Sequence, residues 1–174
     1  MSDTPSFSTV SNTEKPSVMM QAQPDSPLDM LKKVIEKTVK RPNVYIEVPE
    51  RPGVSICVSP NITQHQLKSW RKNAGDETKN GMDTIKFATS VIGHTTVGIA
   101  FNDEIVLDEN GNQVTFASPE VLAMTSTTRP LPDCVLAFFG IEPHVEAAAV
   151  VIMEASGYGD SVDTVDPTKK PSES

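Results

Sequence analysis

The sequence predicts an α+β fold: a small mixed helix and hairpin domain over residues 27–158 with a helical C-terminal part, set between disordered tails at 1–26 and 159–174. Three observations lead there. Apolar and polar residues alternate on either side of a Pro- and Gly-containing loop at 49–53, which is the period of paired strands. Elsewhere apolar residues recur at helical spacing behind residues that cap helices. At both ends polar residues, proline and charge crowd out apolar side chains, so those stretches cannot bury enough surface to offset their ordering entropy. The hydrophobic share of 37% falls below the usual globular level for the same reason.

The elements follow in order. Ser26 caps the first helix and Pro27 suits its first position. Leu28, Leu31, Ile35 and Val39 form its apolar stripe, and Pro42 ends it by disfavouring helical geometry at Arg41. Val44, Ile46 and Val48 then pair with Val54, Ile56 and Val58 in a hairpin, one face of which needs a helix to pack on. Thr63 and Gln66 make a capping box, and the helix behind it turns Leu67, Trp70 and Ala74 inward until Gly75. After Gly81 a helix carries Ile85, Ala88, Val91 and Ile92 on one face. Residues 95–101 are β-branched enough for a strand. Residues 105–107 and 114–116 flank Asn110-Gly111, the strongest short hairpin signal, and predict a small second sheet.

The end of the domain reads as three helices. Ser118-Pro119-Glu120 caps one that runs to Met124. Asp133 starts the next, with Val135, Leu136, Phe138 and Phe139 ahead of a stop at Gly140. Pro143 opens the last, and from 145 to 155 it is apolar nearly all round. Such a helix is either fully buried or covered by a partner. Val145, Ala149, Val150, Ile152 and Met153 are therefore the candidate partner-binding residues.

No motif asks for catalysis, so the expectation is a non-enzymatic binding protein with no cofactor and no metal. His65, His94 and His144 stand far apart, without Cys, Asp or Glu at ligand spacing. His65 reads as an exposed member of the capping box and His94 as a helix-end residue favoured by the dipole. Asp108-Glu109-Asn110-Gly111-Asn112 has the look of a calcium loop, but its Gly comes fourth rather than sixth and position twelve is Pro119. Nucleophile elbow, P-loop and dinucleotide fingerprint are all missing, and Gly157-Tyr158-Gly159 reads as a helix stop. Cys57 and Cys134 are too few for a disulfide framework and read as buried thiols. With neither a signal-like start nor an apolar run of roughly 20 residues, the expected setting is a reducing cytoplasm rather than a membrane.

Charge is unevenly placed within the net −8. Residues 28–86 hold eleven Lys/Arg against seven Asp/Glu, whereas 87–168 hold Arg129 alone against twelve. The acidic half repels phosphate backbones and the basic half lacks a dense aromatic-laced patch, which argues against nucleic acid. A bipolar molecule is instead suited to self-association or a charged partner.

Four pieces of the chain carry a resemblance. They are the strand at 54–58 leading into Thr63-Gln64-His65-Gln66-Leu67-Lys68-Ser69-Trp70-Arg71; the turn Leu107-Asp108-Glu109-Asn110-Gly111; Val114-Thr115-Phe116-Ala117-Ser118-Pro119-Glu120; and Met153-Glu154-Ala155-Ser156-Gly157-Tyr158-Gly159-Asp160. In this order, over residues 45–168, the sequence resembles tail assembly chaperones of long-tailed phages that infect actinobacteria. The N-terminal tail and residues 125–132 match nothing typical of them. The resemblance implies a protein that coats the tape measure protein in the host cytoplasm and is absent from the finished virion. It also implies the shorter, upstream product of a gene pair, with a ribosomal frameshift near its end that makes a longer companion. Lys169-Lys170 is the place where a run of adenine codons would allow that slip. The alternative is a structural tail completion or connector protein of the virion.

Overall fold

In the computed structural model, residues 25–76 and 79–159 are described, so the two tails expected from composition lie almost wholly outside the described residues. The chain divides into two compact units, Met1–Val39 and Lys40–Ser174. Helix α1 (Pro27–Ile35) belongs to the first. Its Ser26 cap closes a full capping box, with the Ser26 hydroxyl accepting from the Asp29 amide and the Asp29 carboxylate returning to the Ser26 amide. The helix stops at Ile35, a turn short of the expected Val39. Thr38 and Val39 are β-branched and weak helix formers, and the pre-proline restriction at Arg41 adds to them. None of its residues is buried.

The second unit is α+β, and its sheet begins with strands β1 (Val44–Glu47) and β2 (Val54–Val58), paired antiparallel with Ile46 opposite Ile56. Helix α2 (Gln64–Asn73) follows its capping box, in which Thr63 Oγ1 accepts from the Gln66 amide and Gln66 Oε1 from the Thr63 amide. Helix α3 (Thr84–Thr95) runs directly into strand β3 (Thr96–Phe101), which pairs antiparallel with β2 and places Ile99 beside Ile56. A two-residue turn at Asn102 and Asp103, both with positive φ, returns the chain as β4 (Glu104–Ile105). Such a turn matches the twist of the strands it joins.

The sheet order is β1-β2-β3-β4, and this single four-stranded sheet corrects the expected second one. Around Asn110-Gly111 only one isolated bridge forms, Leu107 opposite Gln113. The Val114 amide still donates to the Val106 carbonyl at 3.2 Å, and the pairing ends there; Val114 and Phe116 are buried in the main core, where Phe116 meets Phe138 edge to face at 5.1 Å between centroids. Core burial outweighs the extra hairpin pairs.

Directly paired residues share a face. Ile46, Ile56 and Ile99 therefore point together into the core with Val58, while Tyr45, Cys57 and Gly98 line the other face. Gly98 is a close-approach glycine: a Cβ there would lie 2.7 Å from Gln113 Oε1, which folds over this face.

Three helices complete the unit: α4 (Pro119–Met124), α5 (Val135–Phe139) and α6 (Glu142–Ala155). Ser118 precedes α4 as expected but caps nothing ahead of it, since its hydroxyl accepts from the Thr115 amide behind. A tight turn, Pro130–Cys134, leads into α5 and is braced by Arg129 Nε donating to Asp133 Oδ2 at 2.6 Å. That carboxylate raises the Arg129 pKa above its ordinary value. Gly140 ends α5 at φ +82°, a left-handed stop. Arg51, from the β1–β2 loop, donates to the carbonyls of Phe138 and Ala137 at the C-terminal end of α5, where a cation suits the helix dipole.

Candidate functional site

Helix α6 decides what the chain can offer a partner. Val145, Ala148, Ala149 and Ile152 are its buried residues, spaced at i, i+3, i+4 and i+7, and they pack into the core with α3. The other side is open: Val150 is 55% exposed and Val151 46%. The apolar-all-round pattern thus resolves into one face in the core and one face left uncovered.

Between α3 and α6 runs a surface groove of about 440 Å³. Two alanines make its floor, Ala88 on α3 and Ala149 on α6, and their short side chains leave the space. Met82 and Phe87 line it from α3 and the residues before it, Val150 and Met153 from α6, and Tyr158 and Gly159 from the turn that follows α6. These elements are pinned by hydrogen bonds. Thr84 Oγ1 donates to Glu146 Oε1 at 2.8 Å, tying the start of α3 to α6. Asp83 caps α3 by accepting from the Lys86 amide. The Tyr158 hydroxyl donates to the Ile62 carbonyl at 3.0 Å and holds the turn after α6 in place. Among the described residues two charged ones line the groove, Glu146 and Glu154, both exposed and both acidic.

Of the five residues singled out in the sequence, the structure brings Ala149, Val150 and Met153 together here. Val145 and Ile152 are fully buried against the core and out of a partner's reach. Sequence reasoning missed Met82, Phe87 and Tyr158. Phe87 falls outside the expected α3 stripe, which is itself the signal: it is half-buried at the margin of the core and lines the groove with its remaining surface.

No family model, characterised protein or solved structure matches the chain.

The polar side chains fall into separate places. Among the described residues no group of three or more His, Cys, Asp or Glu is close enough to hold a metal ion. His65 is exposed in the capping box, and His94 stacks on Trp70 at 5.3 Å with the rings nearly parallel. His144 Nδ1 is buried without a hydrogen-bond partner, the nearest carboxylate oxygen on Glu50 lying 4.0 Å away. Asp108 Oδ1 accepts from the amides of Asn110 and Asn112, both at 2.9 Å, so this carboxylate serves the turn. Cys57 and Cys134 are buried free thiols. Cys57 pairs across the strands with exposed Tyr45 and, chiefly through a side-chain hydrogen bond, raises the phenol above its ordinary pKa of 10.0. Cys134 Sγ lies 3.4 Å from Thr125 Oγ1. No single helix among the described residues is long and apolar enough to cross a membrane.

Proposed function

We propose that this chain is a phage tail assembly chaperone that binds the tape measure protein and keeps it soluble while the tail is built. One observation carries the reading: an apolar groove lined by Met82, Phe87, Val150 and Met153 lies on the surface of the second unit. Exposed contiguous apolar surface of this kind marks an interaction site, and methionines suit it because their flexible side chains adapt to varied partners. The four pieces in which the sequence resembles actinobacteriophage tail assembly chaperones point the same way, and one of them, 153–160, supplies Met153, Glu154, Tyr158 and Gly159 to the groove. In this reading the chain acts in the host cytoplasm by binding rather than catalysis, alongside a longer frameshifted companion, and leaves before the virion is complete.

The test is co-expression with the tape measure protein of the same phage, scored by the soluble fraction of that client. The expected result is a soluble complex that Val150→Asp abolishes. Finding the chain at stoichiometric level in purified virions, with no effect on client solubility, would instead establish a connector or completion protein.

A further inference from the structure

We infer that the α3–α6 groove takes an amphipathic helix bearing Lys or Arg beside its apolar stripe, with two of those cations about two helical turns apart. The shape argues for a helix. The groove is lined from two packed helices and offers apolar side chains with few polar groups to orient a small molecule; a partner helix lays its apolar face in a site of this kind. Charge argues for cations. Glu146 and Glu154 lie eight residues apart on the same helix, about 12 Å along its axis at a rise of about 1.5 Å per residue. A partner helix lying alongside meets this acidic edge at both ends, so lysines at i and i+7 or i+8 face one carboxylate each. Two cations of the chain lie next to the groove, and each is already engaged: Arg71 over the Phe87 ring at 6.0 Å from its centroid, and Arg41 donating to the Ala155 carbonyl at the end of α6. Beyond Gly159 the chain carries Asp160, Asp163, Asp166 and Glu173 against Lys169 and Lys170, a net acidic segment that repeats the charge of the rim.

This inference rests on the chaperone reading for the source of the helix, a segment of the client, but its chemistry can be tested alone. The probe is a fluorescein-labelled synthetic helix of about 18 residues, long enough to hold helical structure, with leucines at i, i+3, i+4 and i+7 and lysines at the flanking positions. Anisotropy is read against the full chain. The expected outcome is a preference of about tenfold for this peptide over its Lys→Glu counterpart at low salt, shrinking as salt rises. The double variant E146K/E154K should invert the preference. Because Glu146 also accepts from Thr84, the single variant E154K serves as a second readout and should cancel part of the preference with the fold intact by circular dichroism.

Equal binding of both peptides, or a preference that survives the charge swap, overturns the inference. So does a peptide site that opens only when residues 160–174 are removed, which would make the tail the occupant, or one masked by a concentration-dependent dimer, which would make it a second copy. If the lysine peptide binds as expected but the tape measure protein stays insoluble, the chaperone reading fails and the groove chemistry stands. If the client is solubilised without peptide selectivity, the reverse holds.

Discussion

Ile152 and Val150 are two residues apart on one helix, and replacing each with Asp should give opposite results. Ile152 is completely buried among Val145, Ala148, Ala149 and the α3 side chains. Truncating such a residue costs about 2–5 kcal/mol. A carboxylate there adds an unpaired buried charge worth several more. Set against a typical domain stability of about 5–15 kcal/mol, Ile152→Asp should leave little folded protein. Val150 is 55% exposed. Losing its remaining burial costs about 1 kcal/mol. The new carboxylate also sits at i±4 from Glu146 and Glu154, which adds about 0.2–0.5 kcal/mol for each like-charged pair. The sum is roughly 1–2 kcal/mol, which the fold should survive. Trp70, the only tryptophan and 5% exposed, reports unfolding in urea through its emission. With a slope of about 1–3 kcal/mol per molar urea, the Val150→Asp midpoint should fall by about 1 M with the slope unchanged. Ile152→Asp should show no cooperative transition. Equal destabilisation by the two substitutions would refute the assignment of faces on α6. A folded Val150→Asp that still solubilises the tape measure protein would remove the groove from the client site.

Three further outcomes are expected. Trp70→Ala should cost about 3–5 kcal/mol, read by circular dichroism, since the indole is buried between α2 and the stacked His94 ring; a loss below about 1 kcal/mol would contradict its role as an anchor. In an ultraviolet titration Tyr45 should ionise above the ordinary 10.0 and return toward it in Cys57→Ala. The folded state holds this proton more tightly than the unfolded chain, so the pair's contribution to stability is complete below about pH 10 and is lost as pH rises through the raised value. Lys169-Lys170 should be encoded by a slippery run of adenines, giving a minor longer protein; AAG-AAG codons at this point would exclude it as the slip site.

Much of the fold was legible because local chemistry and tertiary packing agree. The Ser26 cap, the capping box at Thr63, the 44–58 hairpin and the Gly140 stop each use residues whose backbone preference suits the place they occupy. The failures lie where two local signals competed. Asn110-Gly111 is a strong turn, but a turn sets only the residues it joins; the pairing ends at the Val114 amide, and Phe116 lowers the free energy more by entering the core than by extending a ladder. Ser118 had two amides within reach, and it bonds the one behind it.

The site was legible in part, for a reason that lies in how α6 is built. Hydropathy along 145–155 is nearly uniform, so the helical period carries no contrast from which to choose a buried face. What chooses the face is residue size. Ala148 and Ala149 allow α3 to approach closely, and Val145 and Ile152, one turn to either side, fill the space flanking that contact. With that face committed, Val150 and Met153 must turn outward, and the charged residues spaced four from Val150, Glu146 and Glu154, are carried with them to the rim. An apolar helix with glutamates four residues before and after one of its exposed valines therefore already holds the pattern of an acidic-edged groove. Reading it needed only the knowledge that the alanine pair faces the neighbouring helix.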